Sequence, residues 1–303
     1  MTKTPFAKIT PSLLASMLEV RESEIRRYAE STKRHYKPTR IRIVNGKERK
    51  FDVPEKHFKQ FLKKLHNVLK NLNLFHPSAH GGIKKRSAQT SANLHCGKNV
   101  IFTRDIKNCF PSATPVMMRE ELHRVGFLPE TAKLLSQLLT VRGRVPQGAN
   151  TGTDAINLLF LRIDTKISRL CKNAGFVYTR YVDDCVISGK DIATGQRLIA
   201  TLEDGINSVA LSINQDKKEK NGLMVTNKHV QLVQGLLVHR SGRTMICCEK
   251  KQVALQVAKD YLDLCQELTP ASITGAASLR KKLQGYYSYF KSAKFSIAPH
   301  LNK

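Results

Sequence analysis

Acidic side chains are scarce in this sequence: 24 Asp and Glu stand against 51 Lys and Arg among 303 residues, for a net charge of +27. That excess suits a partner with many phosphates, because each Lys or Arg that neutralises one releases condensed counterions. Long apolar runs are missing too. None reaches the roughly 18 residues that a membrane span needs, and Met1-Thr2-Lys3-Thr4-Pro5 is not followed by a signal-peptide apolar core, so no membrane partner and a cytoplasmic location are expected. A paired-cysteine metal motif is also absent. The seven cysteines are odd in number and scattered, and Cys247-Cys248 lacks the two-residue spacer of a zinc knuckle, which leaves reduced thiols as the expectation. His76, His80, His95 and Cys96 match no metal-ligand spacing. With no internal repeat or low-complexity linker, the chain reads as subdomains packed into one functional unit, and 41% hydrophobic residues suffice for a sizeable core.

What is present has a regular texture. Leu13, Leu14, Met17, Leu18, Ile25 and Tyr28 recur at helical spacing, predicting one or two short amphipathic helices over residues 12–31. Arg40-Ile41-Arg42-Ile43-Val44 alternates charged and apolar side chains, Asn45-Gly46 signals a turn, and Arg49-Lys50-Phe51-Asp52-Val53 returns as a partner strand, giving a basic two-stranded finger. Phe61, Leu62, Leu65, Val68, Leu69 and Leu72 predict a helix with a Lys-rich face. Residues 78–98 read as loops with a short helix. From Val100 the pattern predicts a strand ending at Asp105, helices at about 115–125, 129–140 and 153–173, and a strand pair, Phe176–Arg180 and Val186–Ser188, around Asp183-Asp184. A further hairpin is expected from Val233–Val238 and Thr244–Cys247 across Ser241-Gly242, followed by a basic helical tail.

Asp105 at its strand end and Asp183-Asp184 in their hairpin can bring three carboxylates to one sheet edge. Such closeness is costly without cations. Two divalent ions roughly 3.5–4 Å apart relieve the repulsion and clamp attacking and leaving oxygens, and Mg2+, hard and oxygen-loving, is the natural choice. An Asp-Asp pair is equally at home in an ordinary turn, where Asp bonds its own backbone.

Context separates the two readings, because successive segments resemble the reverse-transcriptase family over most of the chain. Asp105-Ile106-Lys107-Asn108-Cys109-Phe110-Pro111-Ser112 resembles the first palm motif, and the resemblance implies that Asp105 binds metal and that Phe110 is the steric gate excluding a ribose 2′-OH. Val145-Pro146-Gln147-Gly148-Ala149-Asn150 is similar to the second motif, which carries nucleotide contacts onto Gln147 and Gly148. The family's Ser-Pro a few residues on is replaced here by Thr151-Gly152-Thr153-Asp154. Tyr181-Val182-Asp183-Asp184 matches the third motif, implying Asp183 as a principal metal ligand with Asp184 in support. Leu211-Ser212-Ile213-Asn214-Gln215-Asp216-Lys217-Lys218 is similar to the next, whose Lys protonates the pyrophosphate leaving group, a role open to Lys217 or Lys218. Arg49 and Lys50 fall where the family holds the nucleotide triphosphate.

Two further segments resemble the bacterial retron branch in altered form. Ser91-Ala92-Asn93-Leu94-His95 stands for an Asn-Ala-x-x-His motif, and Val233-Gln234-Gly235-Leu236 for one containing Val-Thr-Gly. With a chain of about 300 residues and no appended nuclease or maturase domain expected, the resemblance implies an RNA-directed DNA polymerase that binds a structured noncoding RNA and uses it as primer and template. Its product would be branched, RNA-linked single-stranded DNA, made from deoxynucleotide triphosphates, with an accessory effector protein in anti-phage defence. RNA contacts are then expected from Asn93, His95, Lys281, Lys282 and Lys291, with Lys294 also available for phosphate. A group II intron-like or other defence-associated reverse transcriptase is the nearest alternative, and a catalytically idle RNA-binding scaffold the alternative of another class. The implied architecture is an α+β right-hand polymerase: N-terminal helices and basic fingers over 1–98, a palm with an antiparallel sheet over 99–248, and a helical thumb over 249–303.

Overall fold

The computed structural model describes residues 8–44, 46–215, 222–225, 231–238, 244–246, 248–267 and 270–292. In chain order the elements are α1 (Pro11–Leu18), α2 (Glu22–Glu30), β1 (Arg40–Val44), β2 (Lys47–Phe51), α3 (Lys56–Asn71), α4 (Ala88–Asn93), β3 (Val100–Asp105), α5 (Cys109–Ser112), α6 (Pro115–Arg124), α7 (Pro129–Leu138), α8 (Gly152–Leu159), α9 (Leu161–Asn173), β4 (Val177–Tyr181), β5 (Asp184–Gly189), α10 (Ile192–Ser208), β6 (Leu223–Val225), β7 (Leu232–Val233), β8 (Leu236–Val238), β9 (Thr244–Ile246), α11 (Cys248–Glu267) and α12 (Pro270–Ser292). The fold class is the α+β one expected, with antiparallel sheets. None of the helices searched among the described residues is long and apolar enough to cross a membrane.

The chain divides into two compact units, one of residues 1–87 and 100–223, the other of 88–99 and 224–303. In the first, α1 starts where Thr10 accepts the Leu13 N–H at 3.1 Å and Pro11 presets the first turn. Leu14, Leu18, Ile25, Phe58, Leu62 and Leu65 bury the apolar stripes of α1, α2 and α3. Strands β4, β5 and β3 lie side by side in that order, all antiparallel, with α9 and α10 packed against them. Their shared core includes Ile101, Phe102, Val186, Ile187, Phe160, Leu202 and Ile206.

Several details differ from the sequence pattern. The long helix expected over 153–173 is two helices, interrupted at the fully buried Phe160, whose ring carries the Arg180 guanidinium at 4.6 Å. The return strand of the finger is Lys47–Phe51, earlier than Arg49–Val53, pairing Arg42 with Arg49 and Ile41 with Lys50. Helix α10 fills a stretch where no element was expected, although Leu198, Ile199, Leu202 and Ile206 carry a helical pattern there.

In the second unit, α4 packs against β7, β8 and β9. The strand expected over Val233–Val238 is instead a hairpin: Gln234 and Gly235 turn with φ of +46° and +73°, and β7 pairs with β8. Two successive positive φ values are what a two-residue turn between right-twisted strands requires, and Gly adopts one at little cost. Ser241 and Gly242, the expected turn, lie outside the described residues.

Candidate active site

The antiparallel register of β3 and β5 sets Asp105 opposite Asp184, and that of β4 and β5 sets Tyr181 opposite Asp184. Asp183 is joined in by its backbone, whose carbonyl accepts the Ile106 N–H at 3.0 Å. The strand register therefore brings the backbone of all three acids to one end of the sheet. Asp105 is fully buried, while Asp183 and Asp184 are partly exposed. Asn214 ties Asp105 twice, donating its N–H to the Asp105 carbonyl at 2.8 Å and its Nδ2 to Oδ2 at 2.9 Å. Among the described residues no three or more His, Cys, Asp and Glu side chains form a ready-made metal cage. The donors at this edge are hard carboxylate oxygens, the chemistry that magnesium-type cations take.

A cavity of about 460 Å³ opens at Asp183, while Asp105, Asp184 and Gly148 do not line it. Asp183, Phe110, Gln147, Arg49 and Lys50 line it, so most residues assigned from the sequence to the nucleotide do share one space. Phe110 sits on α5, entered through Asn108 in the left-handed region, and a Cβ on Gly152 would lie 3.4 Å from its ring. The Gln147-Gly148 loop is bound to the finger: the Asp52 N–H donates to the Gln147 carbonyl at 2.8 Å, and a Cβ on Gly148 would come within 3.3 Å of the Asp52 carbonyl oxygen.

The same cavity contains residues that sequence reasoning gave no role. Arg142 and Arg144 face it from a short bridged turn, each donating to the fully buried Asp52 carboxylate at 2.9 Å, which also accepts from Thr39 Oγ1 at 2.7 Å. Asn214 lines it as well. The basic character of Arg142 and Arg144 was visible in the sequence; their meeting at Asp52 was not. Asp154 is turned away to other work, accepting a 2.7 Å hydrogen bond from His66 of α3. That carboxylate raises the His66 pKa, and burial raises that of Asp154. Lys217 and Lys218 lie outside the described residues.

Beneath the turn, Arg180 is fully buried. Its Nε and Nη2 donate to the two oxygens of buried Asp164 at 3.0 and 2.6 Å, its Nη2 reaches Asn157 Oδ1 at 3.2 Å, and its Nη1 donates to the Val182 carbonyl at 2.8 Å.

In the second unit the two altered motifs come together, since Ser91, Ala92 and Asn93 are on α4, which packs against β7 and β8, the strands that Gln234 and Gly235 join. Asn93 is exposed, with Oδ1 accepting from Thr244 Oγ1 at 2.9 Å and from Gln89 Nε2 at 2.8 Å, whereas His95 is fully buried. Lys281 and Lys282 are exposed on α12. The side chain of Lys291 and the whole of Lys294 lie outside the described residues.

A family model described as reverse transcriptase (RNA-dependent DNA polymerase) matches residues 35–229, which include every one of these acids. The chain belongs to the reverse transcriptase family. Among curated proteins it is similar to the retron Mx65 reverse transcriptase of Myxococcus xanthus, 28% identical over 61% of this chain and 47% of that protein. It is also similar to the retron Mx162 reverse transcriptase of the same organism, 33% identical over 58% of this chain and 41% of that protein. The chain thus spans about half the length of the curated reverse transcriptases it matches, and these carry the retron likeness that its motifs imply. Of solved structures, apo telomerase from Candida tropicalis aligns with a TM-score of 0.49 at 11% identity, over 67% of this chain and 46% of that one.

Proposed function

We propose that this reverse transcriptase is the RNA-directed DNA polymerase of a retron, working with a structured noncoding RNA as primer and template. The observation that carries the reading is the register that sets Asp105 against Asp184 beside a cavity holding Asp183, Phe110 and Gln147. Family membership supports the chemistry, and the retron names of the curated relatives support the subgroup.

The growing strand's hydroxyl gives up its proton to solvent and attacks the α-phosphorus of a deoxynucleotide, the bond from that phosphorus to the α,β-bridging oxygen breaks, and pyrophosphate leaves. Arg49 and Lys50 hold the triphosphate by charge, with Lys217 or Lys218 donating a proton to the leaving group. Phe110 closes the space a 2′-OH would need. Gln147 and Gly148 set the nucleotide against the template, and the Asp52 contacts keep that loop in register with the finger. Asp105 and Asp183, supported by Asp184, would hold two Mg2+ ions, whose charge lowers the cost of the negative charge that develops on the phosphoryl oxygens. Fingers over 1–98, palm over 99–248 and thumb over 249–303 are the proposed working divisions. Asn93, Lys281, Lys282 and Lys291 are the proposed RNA contacts; His95, expected among them from the sequence, is fully buried and is removed from that set as a direct contact. The proposed setting is the bacterial cytoplasm, with an accessory effector in anti-phage defence.

The protein purified with its bound RNA, given deoxynucleotides and magnesium, should make DNA, and Asp183→Asn should not. Equal synthesis by the two, or none by either, would sink the polymerase reading. Branched DNA that parts from RNA only after debranching is the outcome expected of a retron, and an ordinary 3′ linkage would sink that subgroup.

A further inference from the structure

Val182, between Tyr181 and the first acid of the turn, has φ of +59°. A β-branched residue is a true outlier in the left-handed region, at a cost of about 1–3 kcal/mol, and such a conformation persists only where its surroundings over-determine it. Two groups from different parts of the chain do so here.

One is Arg180. Its guanidinium is among the largest fully buried side chains of the described residues. Burial by itself would lower its pKa, yet the adjoining Asp164 carboxylate raises it on balance, so the side chain stays charged. Tyr178 adds its hydroxyl to Asp164 Oδ1 at 2.8 Å, and the Phe160 ring lies against the guanidinium at 4.6 Å. A buried ion pair of this kind is a weak source of stability compared with apolar packing. What it achieves locally is direction: with Nε and Nη2 fixed by Asp164, the planar fork aims Nη1 at the Val182 carbonyl, 2.8 Å away.

The other is the loop at Gly81. Arg180 exchanges backbone bonds with it, donating to Ser78 O at 2.8 Å and accepting from the His80 N–H at 2.7 Å. Asn157, already bonded to Arg180, donates Nδ2 to the Gly81 carbonyl at 3.1 Å. Gly81 then lies so close to the turn that a Cβ would sit 2.4 Å from Val182 Cγ2 and 2.8 Å from the Val182 nitrogen. Val182 is thus bounded at its amide by Gly81 and at its carbonyl by Arg180.

The Val182–Asp183 peptide is planar, so fixing the Val182 oxygen also fixes the Asp183 nitrogen and Cα, the atom from which its side chain springs. We propose that Arg180, locked by Asp164 and backed by Asn157 and Gly81, is a positioning residue that sets this peptide plane and so aims the Asp183 carboxylate at a divalent cation. The inference deepens the polymerase reading and rests on it for the identity of the site. Arg180 touches neither nucleotide nor cation; it acts through the backbone of the turn.

The test uses the full chain with its RNA, with three readings: thermal melting, Mn2+ affinity from electron paramagnetic resonance, and steady-state kcat and KM for a deoxynucleotide. Asp183→Asn identifies which Mn2+ signal belongs to this site. Arg180→Lys keeps a charge for Asp164 but loses the fork. It should melt close to wild type, bind Mn2+ at least about tenfold more weakly and lose about 10- to 100-fold in kcat, with nucleotide KM nearly unchanged, as a misplacement of about 1 Å would produce. A folded Arg180→Lys with wild-type Mn2+ affinity and kcat overturns the proposal. Should that variant not fold, Gly81→Ala leaves the ion pair whole and presses on Val182 from the other side, and the same readings decide. A wild type that makes no DNA yet shows Mn2+ binding sensitive to Asp183→Asn and Arg180→Lys would defeat the polymerase reading while leaving this one standing.

Discussion

Asn214 and Asp105 are joined by two hydrogen bonds, one from backbone to backbone at 2.8 Å and one from the Asn214 amide to the Asp105 carboxylate at 2.9 Å. A carboxylate held at both its main chain and its side chain is presented in one orientation. Asn214→Ala removes a bond to a charged group, worth about 1.5–3 kcal/mol, so DNA synthesis should fall by roughly 10- to 100-fold. Asn214→Asp should fall further, because it sets a like charge beside Asp105. Primer extension under saturating nucleotide checks both, and an Asn214→Ala enzyme as fast as wild type would show that the tether is idle.

Asp52 predicts a loss of a different kind. Its carboxylate is the common acceptor of Arg142, Arg144 and Thr39, and its N–H holds Gln147. Asp52→Asn leaves two guanidinium groups short of their counter-charge. They retain about a fifth of their exposure, which favours the low end of the range for a broken buried pair, about 3 kcal/mol. Denaturant melts should show that loss, and nucleotide KM should rise as the Gln147 loop loosens from the finger.

Phe110 gives a test of substrate choice. Phe110→Ala opens the space beside Gly152 that the ring now fills. Discrimination between deoxy- and ribonucleotides, measured as a ratio of kcat/KM values, should drop at least about tenfold. An unchanged ratio would remove the gate assignment while leaving the fold untouched.

The His66–Asp154 bond makes a pH prediction. His66 has its pKa raised by Asp154, so the folded chain binds its proton more tightly than the unfolded one does. The bond's contribution is therefore complete below the ordinary histidine pKa of about 6.5 and is lost as pH climbs through the raised folded value. Asp154, also raised, contributes a slope of the same sign at lower pH. The melting temperature should fall with rising pH across the His66 transition, and His66→Gln should flatten that fall. A slope identical in the variant would refute the linkage.

Much of this site is legible in the sequence because its chemistry is local. Asp105, Phe110, Gln147 and Asp183-Asp184 each fall within a short motif, and the alternation around them places the strands. The rest depends on distant pairing. Arg142 reads as one more base in a basic chain until Asp52, 90 residues earlier, is seen to accept from it. Arg180 gives no local hint of Asp164, since the pair is completed only when α9 packs against β4. The break at Phe160 is likewise a tertiary effect in a stretch whose local pattern favours one helix. By contrast, the turn at Gln234-Gly235 and helix α10 had signals of their own, a glycine between apolar residues and an apolar stripe, that pattern reading passed over.

The second unit gathers residues 88–99 with residues from 224 onward, across more than a hundred intervening positions. On a ribosome, which delivers the chain from its amino end, α4 emerges long before the β7–β9 strands that cover it. The first unit's long strand–helix stretch is synthesised in that interval, while α4 waits without its packing partners. Release of the last strands and helices is therefore the step at which the two retron-like motifs first become neighbours.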